Sequence, residues 1–129
     1  MGLVEVLSRK EDVYHKDGVS DEAIHNAEAE LSLQFAEDYR DYLKRFSLLS
    51  YDYHELTGLC DSPRLNVVMS TKREKQENEL ISPDMYLLEQ IGVENLTIWQ
   101  NTRGEVFEVP YKSNPIKICD SLIEYIERQ

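Results

Sequence analysis

Cysteine is scarce in this chain of 129 residues: Cys60 and Cys119 stand far apart and form no CxxC pair. Without that spacing neither a zinc ribbon nor a dithiol redox motif is available, and both residues read as reduced thiols. Glycine is equally thin, with five scattered residues, so no GxGxxG or Walker-type loop can cradle a phosphate. No GxSxG elbow presents a serine nucleophile. His15, His25 and His54 share no ligand spacing with one another or with the cysteines. His54-Glu55 opens as HExxH would, but Gly58 occupies the place of the second histidine. No apolar run approaches the ~20 residues that span a bilayer. The opening MGLVEVLSRKEDVYH has no basic leader followed by an apolar block, so a cytoplasmic protein is expected. Metal, cofactor and catalytic motifs are therefore all missing, although a Cys–His pair assembled in space remains open.

Basic residues are also in deficit, 14 Lys and Arg against 25 Asp and Glu, for a formal charge of -11. Such a chain repels phosphate backbones. Its densest basic cluster, Lys72, Arg73 and Lys75, is interleaved with Glu74, Glu77 and Glu79 and reads as a solvated helix face. Direct nucleic-acid binding is not expected. A strong negative field does favour encounter with a basic protein, raising association toward ~10⁸–10⁹ M⁻¹s⁻¹ at low salt, although solubility alone is served by the same charge. Carboxylates are so abundant that a pair of them carries no information about glycosidase chemistry.

What is present is an ordinary globular pattern, read as one domain over 1–129 with residues 1–17 as a lead-in. Leu3 to Leu7 is apolar enough to dock as a helical turn. Ser20 is a good N-cap with Asp21 and Glu22 at the positive end of the dipole, and Ile24, Ala27 and Leu31 recur at helical spacing over about 21–32. A break at Leu33–Phe35 starts a second helix with Tyr39, Tyr42, Leu43 and Phe46 on one stripe. Leu65–Met69 reads as a short strand, and Thr71-Lys72-Arg73-Glu74 as a capping box opening a polar helix over about 71–80. Tyr86–Leu88 and Leu96–Gln100 read as buried strands, the second turning at Asn101–Gly104 into Glu105–Val109 as a hairpin. Asp120 can cap a closing helix with Leu122, Ile123 and Ile126 inward and Tyr125 at the rim. This order predicts an α+β fold, a mostly antiparallel sheet with helices packed on one face.

One stretch, SYDYHEL from Ser50 to Leu56, concentrates tyrosines and acids between loop signals. Alternation places Tyr51, Tyr53 and Glu55 on one face and Asp52, His54 and Leu56 on the other. Tyrosine gives large contact area at low entropic cost, and flanking carboxylates pair with a partner's Arg or Lys. Two readings stand side by side: a partner-contact segment, or an ordinary half-buried edge strand.

The segment Gly18 to Leu43, GVSDEAIHNAEAELSLQFAEDYRDYL, resembles the N-terminal signature of the SUKH superfamily, the Smi/Knr-like domains. Ile24, Ala27, Glu28, Leu31, Phe35, Asp38, Tyr39, Arg40 and Leu43 occupy the matching places, with Ala36 where the family usually has proline. Asn66-Val67-Val68 with Thr71, Pro83-Asp84 through Ile91-Gly92, and Gly104 to Phe107 resemble later segments, while Gln100-Asn101 replaces an aspartate usual before the hairpin. The resemblance covers about 18–128.

This resemblance implies an α+β fold and, for bacterial single-domain members, an immunity protein that neutralises a polymorphic toxin, often a nuclease or nucleic-acid deaminase, by stoichiometric non-catalytic binding. Glu28 and Arg40 are then expected as a structural pair. The partner surface is expected among Glu37, Asp38, Asp41, Asp52, Glu55 and Asp61, with Tyr51 and Tyr53 as anchors. A regulatory or scaffolding domain binding a non-toxin protein is the alternative, and a small hydrolase a third. No catalytic, metal or cofactor residue is assigned, no membrane partner is expected, and a homo-oligomer is left open without being predicted.

Overall fold

The computed structural model describes residues 2–92 and 95–128. Its elements run α1 (Leu3–Leu7), β1 (Tyr14–Asp17), α2 (Asp21–Leu31), α3 (Glu37–Arg45), β2 (Phe46–Tyr51), β3 (His54–Leu56), α4 (Val67–Glu77), β4 (Met85–Ile91), β5 (Leu96–Asn101), β6 (Val106–Val109), β7 (Ile116–Cys119) and α5 (Leu122–Glu127). The strands form two antiparallel sheets, β1-β2-β3 and β4-β5-β6-β7, so the fold is α+β. Among the described residues no helix is long and apolar enough to cross a membrane.

Local chemistry sets the first layer. The Ser20 hydroxyl accepts from the Ala23 N–H at 3.2 Å, and α2 ends at Ser32 in the left-handed conformation. α3 has no side-chain cap, since Ala36 stands at that place. The Ala36 N–H instead donates to the Tyr86 hydroxyl at 2.9 Å, which anchors the helix start on β4. Tyr39, Tyr42 and Leu43 are then fully buried, and Phe35, Tyr39 and Tyr86 meet in a ring cluster with centroids 4.8–5.0 Å apart.

Thr57 joins the two sheets. Its N–H donates to the Leu88 carbonyl at 2.7 Å and its hydroxyl to the Leu87 carbonyl at 2.6 Å. The Thr57 carbonyl accepts from the Tyr42 hydroxyl at 2.8 Å and the Tyr39 hydroxyl at 3.2 Å. Buried hydroxyls of this kind demand partners, and one residue supplies them for both tyrosines. The lead-in is integrated as well, with Val6 and Leu7 buried in the core and β1 paired to β2.

Several expectations are corrected. Leu65–Met69 is not a strand: the Asn66 carboxamide oxygen accepts from the N–H groups of Val68 (3.0 Å) and Met69 (3.1 Å), and α4 begins at Val67. Capping by asparagine overrides the weak strand preference of the two valines. Thr71 is therefore inside the helix and buried, its hydroxyl accepting from the Leu87 N–H at 2.9 Å. Ser121, not Asp120, caps α5 by accepting from the Glu124 N–H. Tyr125 is buried rather than at the rim, whereas Ile123 is only partly buried.

At the β5–β6 hairpin, Gly104 takes a φ of 94°, and Glu105 gathers partners at the surface. The Asn101 amide above all, then Lys117 and Arg103, holds the Glu105 carboxyl down to about 2 from its ordinary 4.5. A depressed carboxyl stabilises the fold above about pH 4.5 and loses that contribution as pH falls toward 2. Urea unfolding should accordingly show a smaller loss of stability across this window in Glu105→Gln than in the parent, with the two converging at the acid end.

Candidate partner-binding surface

The SYDYHEL stretch is a hairpin with a two-residue turn rather than one strand. Asp52 and Tyr53 have φ of 44° and 68°, both in the left-handed region, the type I′ pattern that matches strand twist. The chain reverses there, so Tyr51 and Tyr53 do not share a face. Tyr51 is fully buried, and Tyr53 is 97% exposed. Tyr51 opposes His54 in the ladder, and their rings stack at 5.2 Å.

The expected surface residues divide. Glu37, Asp41, Glu55 and Asp61 are exposed. Asp38 is half-buried and spent on the fold: one carboxylate oxygen accepts from Gln100 Nε2 at 3.0 Å and the other from the Leu122 N–H at 2.7 Å. Burial pushes its pKa up despite those donors. Asp52 accepts from the Glu11 N–H at 2.7 Å and donates its own N–H to the Glu11 carbonyl, which fastens the hairpin tip to the lead-in. Tyr51 as an exposed anchor, and Asp38 as a free charge, are therefore corrected by burial and hydrogen bonding.

Tyr53 and Glu55, unlike the acids on α3 and Asp61, line a cleft of about 610 Å³. The hairpin tip forms one side, and the far half of α4 contributes Glu74 and Glu77. The β4–β5 hairpin contributes Glu89, Gln90, Thr97 and Trp99, and the β6–β7 loop Tyr111 and Lys112. These four segments are distant in sequence, which is why Glu77, Glu89, Trp99 and Tyr111 were not expected as neighbours.

Glu89 is almost fully buried at this site, and its carboxylate accepts from the Tyr125 hydroxyl and meets His54 Nδ1 at 3.1 Å. Burial, reinforced by the Glu89 charge, raises the pKa of Tyr125 well above the ordinary tyrosine range. Tyr51 is shifted the same way by the same two causes. The Tyr51 hydroxyl is buried and has no hydrogen-bond partner among the described residues. Removing such a group lifts a desolvation cost, so Tyr51→Phe is expected to raise the unfolding free energy by up to about 1 kcal/mol in urea titrations.

The His54–Glu89 pair is the only feature of the described cleft lining with the form of a base and its orienter, and no cysteine or serine lines the cleft beside it. Cys60 and Cys119 are free thiols elsewhere. Among the described residues no three His, Cys, Asp or Glu side chains are grouped to hold a metal. What the arrangement offers chemically is an exposed aromatic ring and carboxylates beside a broad cavity. The expected internal pair is present: Arg40 Nη2 lies 2.8 Å from Glu28 Oε2.

Compared with protein families, residues 2–129 match the SUKH_5 family, SMI1-KNR4 cell-wall. No curated protein matches the chain.

Proposed function

Because the chain belongs to the SMI1-KNR4 (SUKH) family over residues 2–129, we propose that it is a cytoplasmic immunity protein that binds and neutralises a cognate polymorphic toxin, one equivalent to one, without turnover. The observation that carries this reading is the charge of -11 on a chain of this family. A toxin directed at nucleic acid must present a basic cleft to an anionic substrate, and an acidic protein covers that cleft by complementary charge. Exposed Glu37, Asp41 and Asp61 act mainly in steering the encounter, while Tyr53 and Glu55 make contact. Asp38, Tyr51 and Asp52 contribute by holding those elements in place.

Co-expression with its cognate toxin domain tests this reading. Growth is expected to be restored, and the two proteins to co-purify at equal amounts. Undiminished growth arrest in cells that contain the soluble protein contradicts it.

A further inference from the structure

Tyr53 is a costly choice for its position. A left-handed φ at the second turn residue favours glycine, yet the chain places there a large side chain that packs against almost nothing. The turn beneath it is held on both flanks. Asp52 is hydrogen-bonded to Glu11, while the pair that closes the turn is fastened by the stacking of Tyr51 on His54 and by the contact of His54 with Glu89. An exposed ring on a tied-down turn loses side-chain freedom but little backbone freedom on binding, which suits an interface anchor.

The cleft beside this ring has a definite charge. Glu55, Glu74, Glu77 and Glu89 line it against Arg64 and Lys112. Arg64 is held by Glu55 at 3.0 Å, Glu74 by Arg73 and Glu89 by His54, while Lys112 lies over the Tyr111 ring at 5.3 Å. Glu77 is exposed and forms no ion pair with a described residue. An aromatic face and a carboxylate without a counter-ion, in one acidic cleft, complement a cation. An anionic occupant would meet repulsion from both the cleft and the whole chain.

We propose that the cleft beside the Asp52–Tyr53 turn receives a lysine or arginine side chain carried on a segment of a basic partner protein, with Tyr53 covering its stem and Glu77 supplying the counter-charge. About 610 Å³ exceeds what one side chain fills, so residues flanking that cation occupy the remainder. This inference rests on the immunity reading for the partner's identity, and it assigns the contact to the cleft rather than to the α3 acids.

The test is an NMR titration of the full chain with a capped tetra-arginine peptide, and with a tetra-glutamine peptide as the uncharged control. Shifts are expected at Tyr53, His54 and Glu77 with the cationic peptide only. Tyr53→Gly and Glu77→Gln should each weaken binding about two- to fivefold, and Glu22→Gln, at an exposed position of α2 outside the cleft, should leave it unchanged. Tyr53→Gly should at the same time raise the thermal midpoint by about 2–4 °C, because glycine relieves the turn. Shifts centred on α3, no shifts at millimolar peptide, or affinity unaltered in both cleft variants overturn the proposal. A protein that neutralises its toxin yet fails this titration refutes the cleft assignment alone. One that passes the titration but leaves the toxin active refutes the immunity reading alone.

Discussion

Gly58→Ala is expected to remove a large share of the protein's stability. A Cβ at Gly58 would stand 1.9 Å from the Ser47 carbonyl oxygen and 3.3 Å from the Tyr42 hydroxyl, and the first neighbour is backbone that cannot rotate away. That same carbonyl accepts from the Leu59 N–H at 2.9 Å, while the Gly58 N–H donates to the Leu65 carbonyl and its carbonyl accepts from Val67, both at 2.8 Å. Separating the strands enough for a methyl group breaks this set and displaces Thr57, on which both sheets and two buried tyrosines depend. Overpacking costs about 1–3 kcal/mol and each backbone bond about 1 kcal/mol, so a loss of about 4 kcal/mol or more falls on a domain whose whole stability is about 5–15 kcal/mol. Circular dichroism and urea unfolding would read this directly. A variant with the parent's unfolding midpoint would mean that β2 and the β3–α4 connection are not so tightly apposed.

The second large effect is expected at Glu28. Its Oε2 accepts from the Phe35 N–H at 2.8 Å and from Arg40 Nε and Nη2 at 2.9 and 2.8 Å, all in a nearly closed environment. Glu28→Ala strands a buried backbone donor and a part-buried guanidinium together, a loss of about 3 kcal/mol. Glu28→Gln keeps an acceptor for Phe35 and should cost about half as much. Equal losses in the two variants would show that the charge, not the hydrogen bond to the α2–α3 turn, is what matters. Neither residue faces the proposed cleft, so any surviving folded fraction should bind a partner normally.

Such pairs explain which parts of the fold were legible in the sequence. Ser20, Ile24 and Ala27 declare α2 through interactions within a few residues, and Glu28 with Arg40 was expected as an internal pair from the family signature. The β5–β6 hairpin was legible for the same local reason, since Gly104 and its flanking β-rich runs sit together. Val67-Val68 misled because strand preference is decided by packing, and the cap at Asn66 outweighed it. β1 carried no alternation to detect, all four of its residues being exposed.

The candidate surface was half legible. Tyr53 and Glu55 were expected at a partner surface from their residue types between loop signals, and both line the cleft, but alternation put Tyr51 beside Tyr53 because a two-residue turn leaves no trace in a period of two. Asp52-Tyr53 lacks the glycine that ordinarily marks such a turn. The cleft itself is assembled from four distant segments, and no pattern along the chain places Glu77 or Tyr111 near Tyr53.

Titrating the protein into its cognate toxin while following toxin activity tests the central claim most directly. Activity should fall to zero near one equivalent, association should slow as ionic strength rises, and Tyr53→Gly should need a clear excess to reach the same endpoint. Full toxin activity at several equivalents of folded protein would contradict neutralisation by stoichiometric binding.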